Sequence, residues 1–533
     1  MSLVPFLLVA ALGAAALLLA RGIPQARALG GPVVLVAAFV AAVTIVPGQV
    51  VVLGEAGFAT TDYLRLYLVL GSVVGLGLVI VGAAGAGHPD APAVTLGILA
   101  SSALALAFPD ARLAFIAATV GGTFPVLLTV GAGGGRLAAT AGVRVLRATV
   151  IAGTLAIAAS AWIGRDLSEL AAQPVVFGLA YLAVALAVAI RFGAIPFHSW
   201  AARLTDSIDE TGLPLVTAWS AGAFAIAALA WIDASIQPLT IRDPSVGALV
   251  DLGMVRLVVL LVAIVSIVLA SVAAWIQDDL EHIVGYSIVG DAGVVLLAVA
   301  ALDSDSWAPG RTWLLAFVVG RSAFAAWAAA VRASFGTGRV SELSGWALRS
   351  PLLAAAFAAV VLASVGIPGL AAFDARVSLV DLAIGSPLGG LVLLGTLTPL
   401  AYYGRLAAIG AARRGTARGE SWSWRPAIEA VDLNDLRAWA AKTWSGNRAF
   451  AASATAGLLA VLAVAVMAGA FGVREAAAGL PPRLEGAVES FAPQEPLESP
   501  GPSPTTSGAP SPAPSVGTEP PSGSPTFVPV PSP

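Results

Sequence analysis

The chain of 533 residues has no cysteine, a single lysine (Lys442), three histidines, and only 11% charged residues. Without cysteine it can form neither a disulfide nor a thiolate-ligated iron–sulfur cluster, so electron carriers of any redox machine it serves sit on other chains. His88, His198 and His282 lack metal-ligand spacing to one another, which excludes a recognisable metal site. A net charge of −3 points to no polyanionic partner, and no basic stripe marks a nucleic-acid surface. Glycine-rich pieces such as "VGAAGAG" lie beside apolar runs without a strand–helix unit, so they read as helix packing or loops rather than nucleotide cradles. No cofactor site is placed on the chain.

Apolar residues are abundant. They make up 58% of the chain, with a mean hydropathy of +0.90, a profile foreign to soluble domains, which need a charged exterior. Runs of about 17 to 22 apolar residues, each able to cross about 30 Å of hydrocarbon, recur almost to residue 472. The expected fold class is an all-α polytopic membrane protein with about 14 transmembrane helices. The alternating ten-residue segments of a membrane β-barrel are absent. "MSLVPFLLVA" lacks a basic leader, so the first run reads as a retained helix.

Arginines cluster after odd-numbered runs: Arg21 and Arg27, then Arg136, Arg144 and Arg147, then Arg191 and Arg203, then Arg332, Arg339 and Arg349, and finally Arg405, Arg413, Arg414 and Arg418. The positive-inside rule makes that side cytoplasmic, which predicts a multi-pass protein of the cell membrane with N-terminus and C-terminal tail extracytoplasmic. Residues 1–60 read as N-terminal transmembrane helices and 61–410 as the main membrane domain. Residues 411–449 read as a cytoplasmic connection, where Leu433, Leu436, Trp439 and Ala440 fall at the spacing of an amphipathic interfacial helix or an ordinary surface helix. Residues 450–472 form the last span. The tail, 473–533, ends in a Pro/Ser-rich stretch that cannot bury a core and reads as disordered.

Charges at membrane depth are costly and persist where they face a partner or a water-filled cavity. Three clusters stand out. "RFGAIPFHSW" and its continuation carry Arg191, Pro196, His198 and Asp206; "QDDLEHIVGYSIVGDAG" carries Asp279, Glu281, His282 and Asp291; "GIPGLAAFDARVSLV" carries Pro368, Asp374 and Arg376. The first and third share a design in which an Ile-Pro element interrupts an apolar helix near an arginine. Proline removes a backbone donor and clashes with the preceding turn, freeing carbonyls. Paired breaks of this kind mark ion pathways in transporters built from inverted repeats.

These residues resemble the motifs of the proton-conducting membrane subunits of respiratory complex I and of the Mrp-type cation/proton antiporters. Pro196, Phe197, His198 and Trp200 match the family's "PFH-x-W", and Val216, Thr217 and Ala218 match its "VTA". Gln277, Asp279, Tyr286, Ser287 and Gly293 follow a second motif. Gly366, Ile367, Pro368 and Phe373 follow a third, and "LAYYGRL" is similar to a fourth, with a lean toward subunit N. The resemblance covers roughly residues 60 to 410. It implies two inverted five-helix repeats containing proline-broken helices, a proton-conducting role for 61–410, an axis of buried lysines and acids, and other subunits of a complex I-like assembly as partners beside the lipid bilayer.

The departures are systematic. Arg191 and Arg376 stand where the family has lysines, and Glu281 stands in place of a third. Ala225 lies near an expected buried lysine, and the fifth run holds no acid. Lysine can approach a neutral-pH pKa on burial, whereas arginine stays charged. A relay must then use His198, Asp206, Asp279, Glu281, His282, Asp291 or Asp374, with Arg191 and Arg376 as fixed charges. Three functions follow: a proton-translocating membrane subunit of an NADH-quinone oxidoreductase-like complex, a structural subunit of the same fold with a degenerate path, or an Mrp-like Na⁺/H⁺ antiporter component.

Overall fold

A computed structural model describes residues 2–482 apart from 54–55, 86, 131–134, 163–173, 243–251, 386 and 413–432. The chain opens with α1 (Val4–Leu19) and α2 (Pro24–Val43), followed by a short antiparallel hairpin of β1 (Val50–Leu53) and β2 (Ala56–Ala59) that pairs Val50 with Ala59. Next come α3 (Asp62–Ala84), α4 (Ala91–Ala107), α5 (Ala111–Gly121), α6 (Val126–Val130) and α7 (Gly135–Trp162). The first interrupted helix is α8 (Pro174–Phe192) with α9 (Ser199–Leu204); a π-turn over Leu215–Trp219 leads into α10 (Ser220–Arg242). The centre is built by α11 (Gly253–Ile276), α12 (Leu280–Ala301) and α13 (Trp307–Phe335). After α14 (Trp346–Arg349), the second interruption separates α15 (Pro351–Val365) from α16 (Ala371–Ile384). Then α17 (Leu388–Gly395), α18 (Pro399–Ala411), α19 (Leu433–Met467) and α20 (Val473–Ala478) complete it.

Local signals explain the helix ends. Thr61 accepts the Leu64 amide at 3.1 Å and starts α3. Ser350 does the same for Leu353 ahead of Pro351, the first residue of α15. A hydroxyl N-cap followed by proline satisfies one orphan donor and removes another. Gly336, at φ +73°, ends α13 in the left-handed conformation that glycine adopts without strain.

Among the described residues, eleven helices are long and apolar enough to cross a membrane. Three shorter apolar helices, Leu29–Val43, Ala91–Ala107 and Pro351–Val365, lie where further spans are expected. The protein is therefore polytopic and helical; the described residues give eleven full-length spans beside these three shorter helices, where the sequence predicts about 14. Of these, α15 is bounded by Pro351 at its start and Gly366 at its end. The expected amphipathic segment and last span are one continuous helix, α19. The faces of residues 433–446, and the whole tail beyond 482, lie outside the described side chains.

Burial is graded across the bundle. The apolar window of α13 is 100% buried and that beginning at Leu215 is 94% buried, against 28% for α1 and 22% for the Leu388–Ala411 segment. Leu12, Leu261 and Leu458 are exposed on the outer helices, as a lipid-facing surface requires, since a helix satisfies its backbone internally and can present apolar side chains outward. Asp291 on α12 and Arg321 on α13 are thereby held at the centre.

Candidate functional site

Glycine, not proline, ends both interrupted helices. In α8, the Gly193 amide donates to Ile190 O at 3.1 Å and the Ala194 amide to Ala189 O at 2.8 Å, with Gly193 at φ +64°; this is a Schellman closure. Pro196 follows three residues later. In α15, Gly366 at φ +74° closes the helix and Pro368 follows. The prolines keep the chain from continuing as helix, while the glycines set its exit direction.

The freed carbonyls are satisfied differently at the two breaks. At the first, Trp200 Nε1 donates to Ile190 O at 2.9 Å, and the Ile195 amide donates to Ser266 Oγ at 3.0 Å. At the second, Arg376 Nη2 donates to Ser364 O at 3.1 Å and Val365 O at 2.8 Å, its guanidinium carbon 4.7 Å from the Trp313 ring centroid. The sequence treats Arg191 and Arg376 as equivalents, but they act differently. Arg191 turns into the bundle, donating to Ser220 Oγ at 2.7 Å while its Nε and Nη1 find no partner. Gly122 makes room for it: a Cβ there would lie 2.5 Å from Arg191 Nη2. Only 1% exposed, Arg191 lies away from the cytoplasmic surface to which the charge pattern assigned it.

The acids of α12 meet arginines of α13. Glu281 accepts Arg332 Nη2 at 2.6 Å, and Asp291 accepts Arg321 Nε at 2.6 Å. The two helices are antiparallel, so the partners are 51 and 30 residues apart in sequence. Ten residues on one helix and eleven on the other rise about 15 and 16 Å, so the pairs form two matched rungs of a ladder. Each rung extends sideways. Glu210 approaches Arg332 Nε to 2.7 Å, making the outer rung an arginine between two carboxylates. At the inner rung Arg321 Nη1 donates to Tyr403 Oη at 2.7 Å and reaches Tyr402 Oη at 3.4 Å, and Tyr403 donates to Ser364 Oγ at 2.8 Å. Ser364 is also a carbonyl partner of Arg376, so the inner rung is wired to the second helix break.

His282 Nε2 lies 3.2 Å from Asp206 Oδ1, beside the outer rung. His198 begins α9 and lines a cavity of about 10 Å³ with Thr205, Thr217 and Tyr286, the room one water needs. A second cavity of about 10 Å³ lies between Asp291, Arg376, Ser271 and Thr396. Asp279 is the residue before α12 and bridges through its backbone to Arg339. Asp374 stands apart: it is exposed, paired with Arg474 Nη2 at 2.7 Å, and accepts the Gly369 amide at 3.1 Å. Sequence reasoning missed Glu210, Arg321, Tyr402 and Tyr403 as members of the network and read Arg332 only as a surface charge. The available signal was arithmetic: acids ten apart before a short turn, and arginines eleven apart after it. No group of three or more candidate metal ligands occurs among the described residues.

Residues 151–400 match the family model described as NADH:quinone oxidoreductase/Mrp antiporter, transmembrane region. Subunit N of the NADH-quinone oxidoreductase of Rhodococcus opacus is 31% identical over 224 residues, covering 42% of this chain and 38% of that protein. NAD(P)H-quinone oxidoreductase subunit 2 of Rippkaea orientalis is 29% identical over 220 residues, covering 41% and 40%. The chain thus aligns with less than half the length of these curated relatives. In structure it superposes on a chain of the Mrp complex from Dietzia sp. with a TM-score of 0.69 at 21% identity, covering 89% and 96% of the two chains. A chain of respiratory complex I from Thermus thermophilus gives 0.61 at 20% identity, covering 86% and 97%. The family model and the curated relatives bear out the resemblance carried by the sequence motifs, and the fold is shared with these chains of the Mrp complex and of complex I.

Proposed function

We propose that this chain is a membrane subunit of an NADH-quinone oxidoreductase-like complex and contributes to proton translocation coupled to electron transport. The observation that carries this reading is the two-rung ladder between α12 and α13, set inside an antiporter-like fold and wired to a glycine-ended helix break. Without cysteine the chain offers no thiolate to an iron–sulfur cluster, and the NADH and quinone sites are assigned to partner subunits. The titratable route is Asp206, His282 and Glu281 at the outer rung and Asp291 at the inner one, with His198 beside it. Arg191, Arg321 and Arg376 act as fixed charges that bias their neighbours, because a guanidinium does not release its proton. Asp279 lies beside Glu281 at the outer end of this route, and Asp374, paired with Arg474, lies off it. The protein sits in the cell membrane with both termini extracytoplasmic, contacts lipid and other subunits, and takes no nucleic acid.

The test is a Glu281→Gln/Asp291→Asn variant of the assembled complex. Expected is loss of most proton pumping per electron transferred, measured on the fraction of complex that keeps its peripheral redox subunits. Pumping that survives both substitutions ends the relay reading and leaves a structural subunit of the same fold. That second reading is favoured by Arg191, a buried cation whose side chain meets a serine and, among the described residues, no acid. Electrogenic Na⁺/H⁺ exchange by reconstituted protein without redox subunits marks an Mrp-like component instead.

A further inference from the structure

A cavity of about 480 Å³ lies at the end of the bundle away from the outer rung. It is reached near the start of α13 by Arg311, 21 residues or about 31 Å before Arg332 on the same helix. Arg311 is 3% exposed, and its Nε has no partner. Its Nη1 donates to Ala477 O at 3.0 Å and Gly479 O at 2.5 Å, and its guanidinium carbon lies 3.9 Å from the Tyr63 ring centroid and 4.4 Å from that of Trp307. No ion pair joins Arg311 to a carboxylate of the described residues. Asp233 also lines the cavity but has a polar interaction of its own.

A buried guanidinium without an anion carries a desolvation penalty that nothing of opposite charge offsets. Two backbone carbonyls reduce that penalty but bring no formal charge. Apart from Arg311, Asp233 and Thr61 the lining is apolar or aromatic, with Phe108, Ala230 and Trp231 forming one wall. Cavities of about 300–1,000 Å³ with apolar walls and a few convergent polar groups are typical ligand sites. Free phosphate would satisfy the cation but leave that wall wet; a neutral lipid would cover the wall and leave the cation unpaired. We propose that the cavity binds a phospholipid, its phosphate on Arg311 through the planar donor fork that suits this anion, its chains along the Phe108–Trp231 wall.

The test uses purified, lipid-depleted full-length chain titrated with dioleoyl phosphatidylglycerol, with dioleoylglycerol, or with inorganic phosphate. The readouts are native mass spectrometry and the thermal midpoint. One phosphatidylglycerol should be retained per chain, with a raised midpoint, and neither of the other two probes should reproduce this. Ala234→Trp, at an exposed position on the cavity rim, should keep the lipid-free midpoint and weaken phosphatidylglycerol binding at least tenfold. Ala230→Phe, inside the cavity, should do the same. Equal retention of dioleoylglycerol, an equal effect of inorganic phosphate, or undiminished phosphatidylglycerol binding in either variant overturns the proposal.

Discussion

Asp291 and Arg321 are the pair on which the inner rung depends. Arg321 is 1% exposed, and its charge is compensated by one carboxylate and two phenols. Removing one partner of a buried ion pair leaves an uncompensated charge and costs about 3–5 kcal/mol, whereas replacing both with apolar groups can be close to neutral. Asp291→Ala should therefore lower the denaturation midpoint strongly, and Asp291→Ala/Arg321→Met should recover most of the loss. A double variant no more stable than the single one would show that the tyrosines and Ser364, rather than the charges, hold this centre. Glu210 offers a second residue-level test. Burial pushes its carboxyl up from the ordinary value of 4.5 to about 7, with Arg332 pulling it back and Glu281 and Asp209 adding to the rise. A carboxyl raised on folding holds its proton more tightly in the native state, so its stabilising contribution is complete below about 4.5 and fades as pH climbs through about 7. Wild-type stability should fall over that window relative to Glu210→Gln, a difference read from paired thermal melts at each pH. Glu210 thus changes charge near neutrality beside an arginine that does not.

At the scale of elements, arginines repeatedly end helices here. Arg376 takes the last carbonyls of α15. Arg256 donates to Ala300 O of α12 and to Leu382 O and Ala383 O of α16. Arg405 reaches Trp275 O and Gln277 O at the end of α11. A cation at a helix C-terminus meets both the orphan carbonyls and the negative end of the dipole, and a fork serves two carbonyls where an ammonium is a point charge. This gives a near lysine-free chain a structural use for its arginines. The closure at Gly193 can be tested separately from the proline. Gly193→Ala places a residue at φ +64° and a Cβ 2.9 Å from that of Ala201, so it should destabilise by about 1–2 kcal/mol from the left-handed backbone alone, with more from the contact. The breaks were legible because Gly and Pro act locally. The ladder was not, because its arginines lie inside a 29-residue apolar helix and find their acids only through the antiparallel return at residues 302–306. Arg191 was legible as a buried charge but not in its direction, which depends on the space left by Gly122, 69 residues earlier in the chain.

For the whole molecule, the orientation is open to a direct experiment because the chain has no cysteine background. Asp305 is exposed just before α13, and Arg339 is exposed just after it. The 29 residues of α13 rise about 44 Å, more than the hydrocarbon core of a bilayer, so these two positions lie on opposite sides of the membrane. The positive-inside assignment puts Arg339 in the cytoplasm. It survives the loss of Arg191 to the interior, because Arg203 and Arg339 remain exposed, with side chains 69% and 66% accessible. Asp305→Cys should react with a membrane-impermeant maleimide in intact cells, and Arg339→Cys only in inverted vesicles. The opposite pattern would turn the protein over, placing the outer rung with Glu281 on the extracytoplasmic side and Arg311 with its cavity on the cytoplasmic side. Such a reversal would leave the ladder intact and exchange the compartments from which protons enter and leave it.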